Sequence, residues 1–191
     1  MKIIDRLREE KIHISFEVFP PKKAGAAEET LYPVLRELCT LGPDYISVTY
    51  GAGGGTAGQS TAKIASYIKN GLHVEALAHL TCVNSTRVQV EETLTRLRED
   101  NVENVLALRG DINPDLPRRM DFLHASDLAK AIAQTGGFGV AGACYPEGHV
   151  ESPSLKADVE SLRYKAEAGV SHLITQLFFD NVSYYRFLNM A

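Results

Sequence analysis

Several residues of chemically capable type sit directly after short apolar runs, and the pattern repeats along the chain. Glu17 lies in SFEVFPP, Thr49 ends YISVT, His79 and Thr81 end ALAHLT, and Arg109-Gly110-Asp111 follows VLAL. Tyr145 and His149 end GVAGACYPEGH, and Gln176 lies within HLITQLFFD. A carboxylate flanked by Phe16, Val18 and Phe19 is costly to ionise when desolvated, which suits a general acid near neutral pH. The alternative is a structural carboxylate paired with a neighbouring base or hydroxyl. Gly110, having no side chain, lets backbone approach a ligand closely, and Arg109 and Asp111 add opposite charges beside it. The alternative there is a surface ion pair at a turn, which contributes little. A neutral amide such as Gln176 in an apolar run needs partners if buried, and it could read the edge of a heteroaromatic ligand or be a satisfied core amide. His13, His73, His124 and His172 lack such company and read as structural or solvent-facing.

The elements that must position these groups follow from the spacing of apolar residues. Each run reads as a buried strand. Between the runs, helical periods appear over residues 26–41, 60–69, 86–99, 125–134 and 154–168, with Gly42-Pro43, Asn70-Gly71, Gly136-Gly137 and Gly169 as stops. Residues 1–10 suit a short leading helix, and a last helix begins near Val182. Strand, helix, strand, helix with short connections predicts an α/β fold with a parallel sheet. In such folds the polar strand ends gather at one edge and form the active site. Two architectures satisfy the pattern: a (β/α)8 TIM-type barrel with about six β/α units present, or an open doubly wound sheet. Gly53, Gly55 and Gly58 match G-x-G-x-x-G between a strand and a helix, which would suit an open-sheet NAD(P)-dependent dehydrogenase. No acidic residue ends the next strand, so a glycine-rich loop is the better reading.

Composition narrows the function classes. The chain has 191 residues, 45% of them hydrophobic and 23% charged, with a net charge of −4. This is an ordinary globular composition, and one domain over 1–191 is the economical expectation. The charge disfavours a nucleic-acid partner. No apolar run approaches the roughly 18 residues of a membrane span, and no signal-peptide pattern opens the chain, so a cytoplasmic protein is expected. Cys39, Cys82 and Cys144 form no C-x-x-C, and no local histidine pair signals a metal, so no metal site is expected.

Taken in order, SFEVFPPK, YISVTYGAGG, HLTCVN, ALRGD, YPEGH and ITQLFFD resemble the methylenetetrahydrofolate reductase family of the bacterial MetF type. The resemblance covers essentially the whole chain. It implies a (β/α)8 barrel holding FAD at the C-terminal strand ends. The implied reaction reduces 5,10-methylenetetrahydrofolate to 5-methyltetrahydrofolate, in one-carbon and methionine metabolism. NADH or NADPH is the implied electron donor, with ferredoxin or an iron–sulfur partner subunit in some members, and a homo-oligomer is implied. By motif, Glu17 resembles the general acid, Asp111 the aspartate beside the flavin, and Gln176 the glutamine that binds the pterin. FAD contacts would fall on Thr49, His79, Leu108, Arg109, Gly110, Asp111, Ala143, Tyr145, His149, Glu151, Asp158 and Lys165. Two departures stand out. The stretch Gly55-Thr56-Ala57-Gly58-Gln59 is neutral where relatives commonly carry charge, and the seventh and eighth strands are absent. A catalytically incomplete piece that needs a partner to finish the barrel is therefore a further expectation.

Overall fold

The structure, a computed structural model, describes residues 1–23, 25–50, 57–112 and 119–191, leaving aside the side chains of Ala57 and Gly58. Six strands form one sheet: β1 (Ser15–Val18), β2 (Tyr45–Val48), β3 (Glu75–Thr81), β4 (Asn104–Leu108), β5 (Gly139–Cys144) and β6 (His172–Thr175). All pairings are parallel and the spatial order is the chain order. A doubly wound sheet needs a point where the order reverses. This one has none, so the open-sheet dehydrogenase architecture is corrected in favour of a curled, singly wound half-barrel. Gly53 and Gly55 of its glycine motif lie outside the described residues, and Gly58 falls in a helix.

The helices are α1 (Ile3–Leu7), α2 (Ala27–Thr30), α3 (Tyr32–Cys39), α4 (Ala57–Ser66), α5 (Arg87–Glu99), α6 (Ala125–Thr135), α7 (Leu155–Glu167) and α8 (Asn181–Leu188). The single helix expected over 26–41 is two. Pro33 sits in the first turn of α3, has no N–H to extend the α2 ladder, and restricts the residue before it. The α5 start is fixed by a capping box in which the Thr86 hydroxyl accepts from Gln89 N–H and the Gln89 amide accepts from Thr86 N–H. After α4 the chain widens into a π-helical turn over Tyr67–Gly71.

Period-two alternation separates two apolar layers. Ile46, Val48, Ala76, Ala78, Leu80, Val105, Ala107 and Val140 pack outward against Leu35, Ile64, Leu94, Leu128 and other helix residues. Tyr45, Leu77, Leu106 and Ala141 face inward with Ile3 of α1. That short helix covers the N-terminal end of the inner face, and a buried amide holds it there. Asn104 Oδ1 accepts from Ile3 N–H at 2.8 Å, and its Nδ2 donates to the Met1 carbonyl at 3.1 Å. A Cβ on the neighbouring Gly139 would stand 2.9 Å from Asn104 Oδ1, which explains the glycine. With the N-terminal side covered, the open end of the inner face is at the strands' C-termini.

Candidate active site

A cavity of about 1410 Å³ opens at the C-terminal ends of β2 to β5 and runs beneath α5, α6 and α7. Thr49, His79, Leu108, Arg109, Gly110, Asp111, Ala143, Tyr145, His149, Asp158 and Lys165 all line it. Glu151 does not, but it grips Arg109 by a two-pronged pair at 2.6 and 2.7 Å. This fork links the loop after β4 to the segment before α7 and fixes the guanidinium's orientation. With Glu151 half exposed, it adds little to stability.

Loop geometry explains the Arg-Gly-Asp turn. Gly110 has φ +84°, and a Cβ there would meet Thr81 Cβ at 3.0 Å. The loops after β3 and β4 are joined by Val83 N–H donating to the Arg109 carbonyl at 2.8 Å. The tight approach thus serves loop against loop as well as the cavity. Asp111 is exposed at the rim.

The opposite wall is built by α7 and the segment before it. Asp158 Oδ2 accepts from His149 N–H at 3.1 Å, and His149 Nδ1 accepts from Glu151 N–H at 3.1 Å. Tyr145 meets the His149 ring edge-on, 4.7 Å between centroids. Lys165 Nζ donates to the Ala143 carbonyl at 2.6 Å. Burial lowers the Lys165 pKa, opposed in part by Asp158. Burial raises the Tyr145 phenol, aided by Asp158 and Asp111.

His79 lines the cavity from a buried position, and that burial pushes its pKa down to about 4, so the ring is neutral. Its Nε2 lies 3.5 Å from Glu17 Oε2. Ser47 Oγ lies 3.5 Å from the same oxygen. Both companions imagined for a structural carboxylate, a base and a hydroxyl, are therefore near Glu17. The expected desolvation of Glu17 is not met: its side chain is 51% exposed, because β1 is an edge strand. Glu17 does not line the cavity. Gln176 is also outside it, exposed just past the other edge strand, where its N–H donates to the Cys144 carbonyl at 2.8 Å. Of the two alternatives for Gln176, the satisfied core amide is thereby set aside.

Other residues of the site escaped the sequence reading. Tyr50, Asn84, Ser85 and His124 line the cavity. Asp127 accepts from the backbone N–H of both Leu123 and His124 at 2.9 Å, which pins the start of α6 there. The His-x-x-Asp spacing was the available signal, since a carboxylate three residues in reaches back to the helix start. His172 takes the structural rather than the solvent-facing alternative: it shares the inner face with Ala141, and burial lowers its pKa. Cys82 and Cys144 are buried as expected of core residues, and burial drives the Cys82 thiol up to about 12. Among the described residues no cluster suited to a metal ion occurs. No described helix is long and apolar enough to cross a membrane.

Sequential parallel strands, outer helices and a polar cavity at the C-terminal strand ends define a chain of the (β/α)-barrel type, with its cavity at the end where such barrels place their ligand sites. Residues 2–191 match the methylenetetrahydrofolate reductase family, and the chain belongs to that family. It is 40% identical over 177 residues to a 5,10-methylenetetrahydrofolate reductase of Pectobacterium carotovorum and 37% identical to that of Escherichia coli K12. Each match covers 93% of this chain and 58% of the relative, so the chain spans under two thirds of the bacterial relatives' length. A plant relative, methylenetetrahydrofolate reductase (NADH) 1 of Arabidopsis thaliana, is 34% identical over 99% of this chain and 35% of its own. In fold alone, the chain is similar to 2,3-dimethylmalate lyase (TM-score 0.66, 13% identity, 98% of this chain and 66% of that one). It is likewise similar to a Clostridium thermocellum protein that binds two copies of 5-methyl-5,6,7,8-tetrahydrofolic acid (TM-score 0.62, 17% identity, 98% and 60%).

Proposed function

We propose that residues 1–191 form the flavin-binding domain of an enzyme that reduces 5,10-methylenetetrahydrofolate to 5-methyltetrahydrofolate with electrons from a reduced nicotinamide. The observation that carries the reading is that one cavity is lined by every expected FAD contact except Glu151, which instead orients Arg109. Its volume exceeds the roughly 300–1,000 Å³ of most small-molecule sites, as a dinucleotide-sized ligand requires. The donor set fits FAD: Arg109 and Lys165 suit a diphosphate, Tyr145 and His149 suit a ring system and ribityl chain, and Asp158 suits sugar hydroxyls. Bound there, FAD would accept a hydride from the nicotinamide and return one to the folate. The name of the plant relative supports NADH as donor.

The chain's own residues then do the following. Glu17 gives its proton to folate N10, and the bond from N10 to the bridging methylene carbon breaks, leaving a cationic carbon to receive the hydride. Asp111 supplies negative charge at the cavity rim that favours this cation. Gln176 hydrogen-bonds the pterin and orients it. Half-reactions test these roles in the flavin-loaded enzyme. Glu17→Gln is expected to spare flavin reduction by nicotinamide and slow folate reduction by about 10²- to 10⁴-fold, the usual worth of a general acid. Equal loss of both half-reactions would contradict the proton-donor role.

A second reading, a piece that binds flavin weakly until further β/α units close the barrel, draws on the sheet edges. Both β1 and β6 are edge strands, and Phe19, Leu177 and Phe179 beside them are largely exposed. Chain that purifies colourless, yet turns yellow with FAD once two C-terminal β/α units of a relative are supplied, supports this reading. Chain that purifies yellow supports the first.

A further inference from the structure

Glu17, Ser47 and His79 meet where β1, β2 and β3 run side by side. Alternation and register place all three on the inner face: Glu17 pairs with Ser47, and Ser47 pairs with Leu77, two residues before His79. Both neighbours approach one oxygen, Oε2, at 3.5 Å. No hydrogen bond reaches Oε1 among the described residues. His79 is only 7% exposed, and its Nε2 is buried without a hydrogen-bond partner. An orphaned buried nitrogen costs stability, so its presence here calls for a reason. The Glu17 contact lies just outside hydrogen-bond geometry, and closing it by a few tenths of an ångström would bring it into the usual range of about 2.7–3.2 Å. A lysine or arginine at this place would favour the ionised carboxylate in advance. A neutral imidazole adds no charge, yet can still donate one N–H.

We propose that His79 is a positioning residue for Glu17: its Nε2–H, with the Ser47 hydroxyl, engages Oε2 while the carboxyl gives up its proton from Oε1. This rests on the reading of Glu17 as proton donor. The proton passes from Oε1 to the ligand's amine nitrogen, the carboxyl becomes a carboxylate, and His79 keeps its own proton throughout. No electrons move in this step. A hydrogen bond to an ionised oxygen is stronger than one to a neutral acid, so the support grows as the proton leaves.

A double-mutant cycle in the flavin-loaded enzyme, with rates taken per bound flavin, tests the coupling. His79→Leu is expected to slow folate reduction roughly 10- to 100-fold, the range for losing a hydrogen bond to a charged group. His79→Gln, which keeps an N–H at similar reach, recovers most of that loss. In a Glu17→Gln background, His79→Leu adds less than about threefold, because coupled residues are not additive. Nitrogen-15 NMR of the histidine-labelled chain without flavin is expected to show His79 neutral with its proton on Nε2. A proton on Nδ1, equal losses in the leucine and glutamine variants, or factors that simply multiply would each overturn the coupling while leaving Glu17 as donor. If Glu17→Gln leaves folate reduction unchanged, the donor reading falls and this inference with it.

Discussion

Replacing His79 by glutamine isolates the energetic consequence of burying an imidazole in the cavity wall. In the folded chain burial holds this ring's pKa at about 4, against 6.5 for the unperturbed group. Between those values the unfolded chain binds more protons than the folded one, so stability rises with pH. The contribution is whole above the unfolded value and is lost as pH falls from 6.5 towards 4. Going from about pH 7 to about pH 5, the linkage relation gives a loss of about 2 kcal/mol from this one group. Little discount for solvent applies, because His79 is buried. Glutamine does not titrate, so His79→Gln should lose about 2 kcal/mol less than the parent over the same interval. His172 shifts in the same direction but is present in both proteins and cancels. Urea unfolding followed by circular dichroism at the two pH values measures the difference. Parallel losses in parent and variant, within a few tenths of a kcal/mol, would show that the ring is not held neutral by burial.

Further outcomes follow from other contacts. Gly139→Ala should push the Asn104 amide off Ile3 and Met1, costing about 1–3 kcal/mol in urea melts for buried hydrogen bonds left unmade; an unchanged midpoint would count against the amide's role. Gly110→Ala meets both a left-handed backbone and the Thr81 side chain. It should cost about 1–2 kcal/mol or more and reduce the flavin retained on gel filtration, whereas full retention would separate the turn from the cavity. Iodoacetamide on the native chain should label Cys39 alone, since Cys82 and Cys144 are buried while Cys39 is only partly so, though burial raises all three thiols. Mass spectrometry showing early label on Cys82 would contradict the packing around it.

The strands were legible because each is a compact apolar run between glycine, proline or polar breaks, and the helices because their apolar residues recur at three and four. What alternation could not convey was which strands are edges. Glu17 looked desolvated from its neighbours in sequence and Gln176 could have been a core amide, but a strand's exposure depends on what pairs beside it, and β1 and β6 each pair on one side only. Strand order was open for a similar reason: βαβ spacing fits both single and double winding, and only the pairing of β1 to β6 in chain order decides. Asn104 was missed because a lone asparagine at a strand start carries no local signal; its partners are in α1, about a hundred positions away. The cavity wall read better. Thr49, His79, Arg109 and Tyr145 stand at or just past strand ends, a place that periodicity alone can locate.

The seating of α1 on Asn104 also has a temporal consequence. Ile3 and Asn104 are 101 positions apart, and the fit also needs the bare backbone of Gly139. On a ribosome adding about 5–20 residues per second, the first helix waits roughly 5–20 s before its docking partner is even synthesised. Each strand, in contrast, pairs with the one made just before it, so the sheet can grow in step with translation. The segment carrying Ile3 is therefore among the last that can lock, and its apolar Ile3 and Leu7 are fully packed only once the strands beneath them are in place.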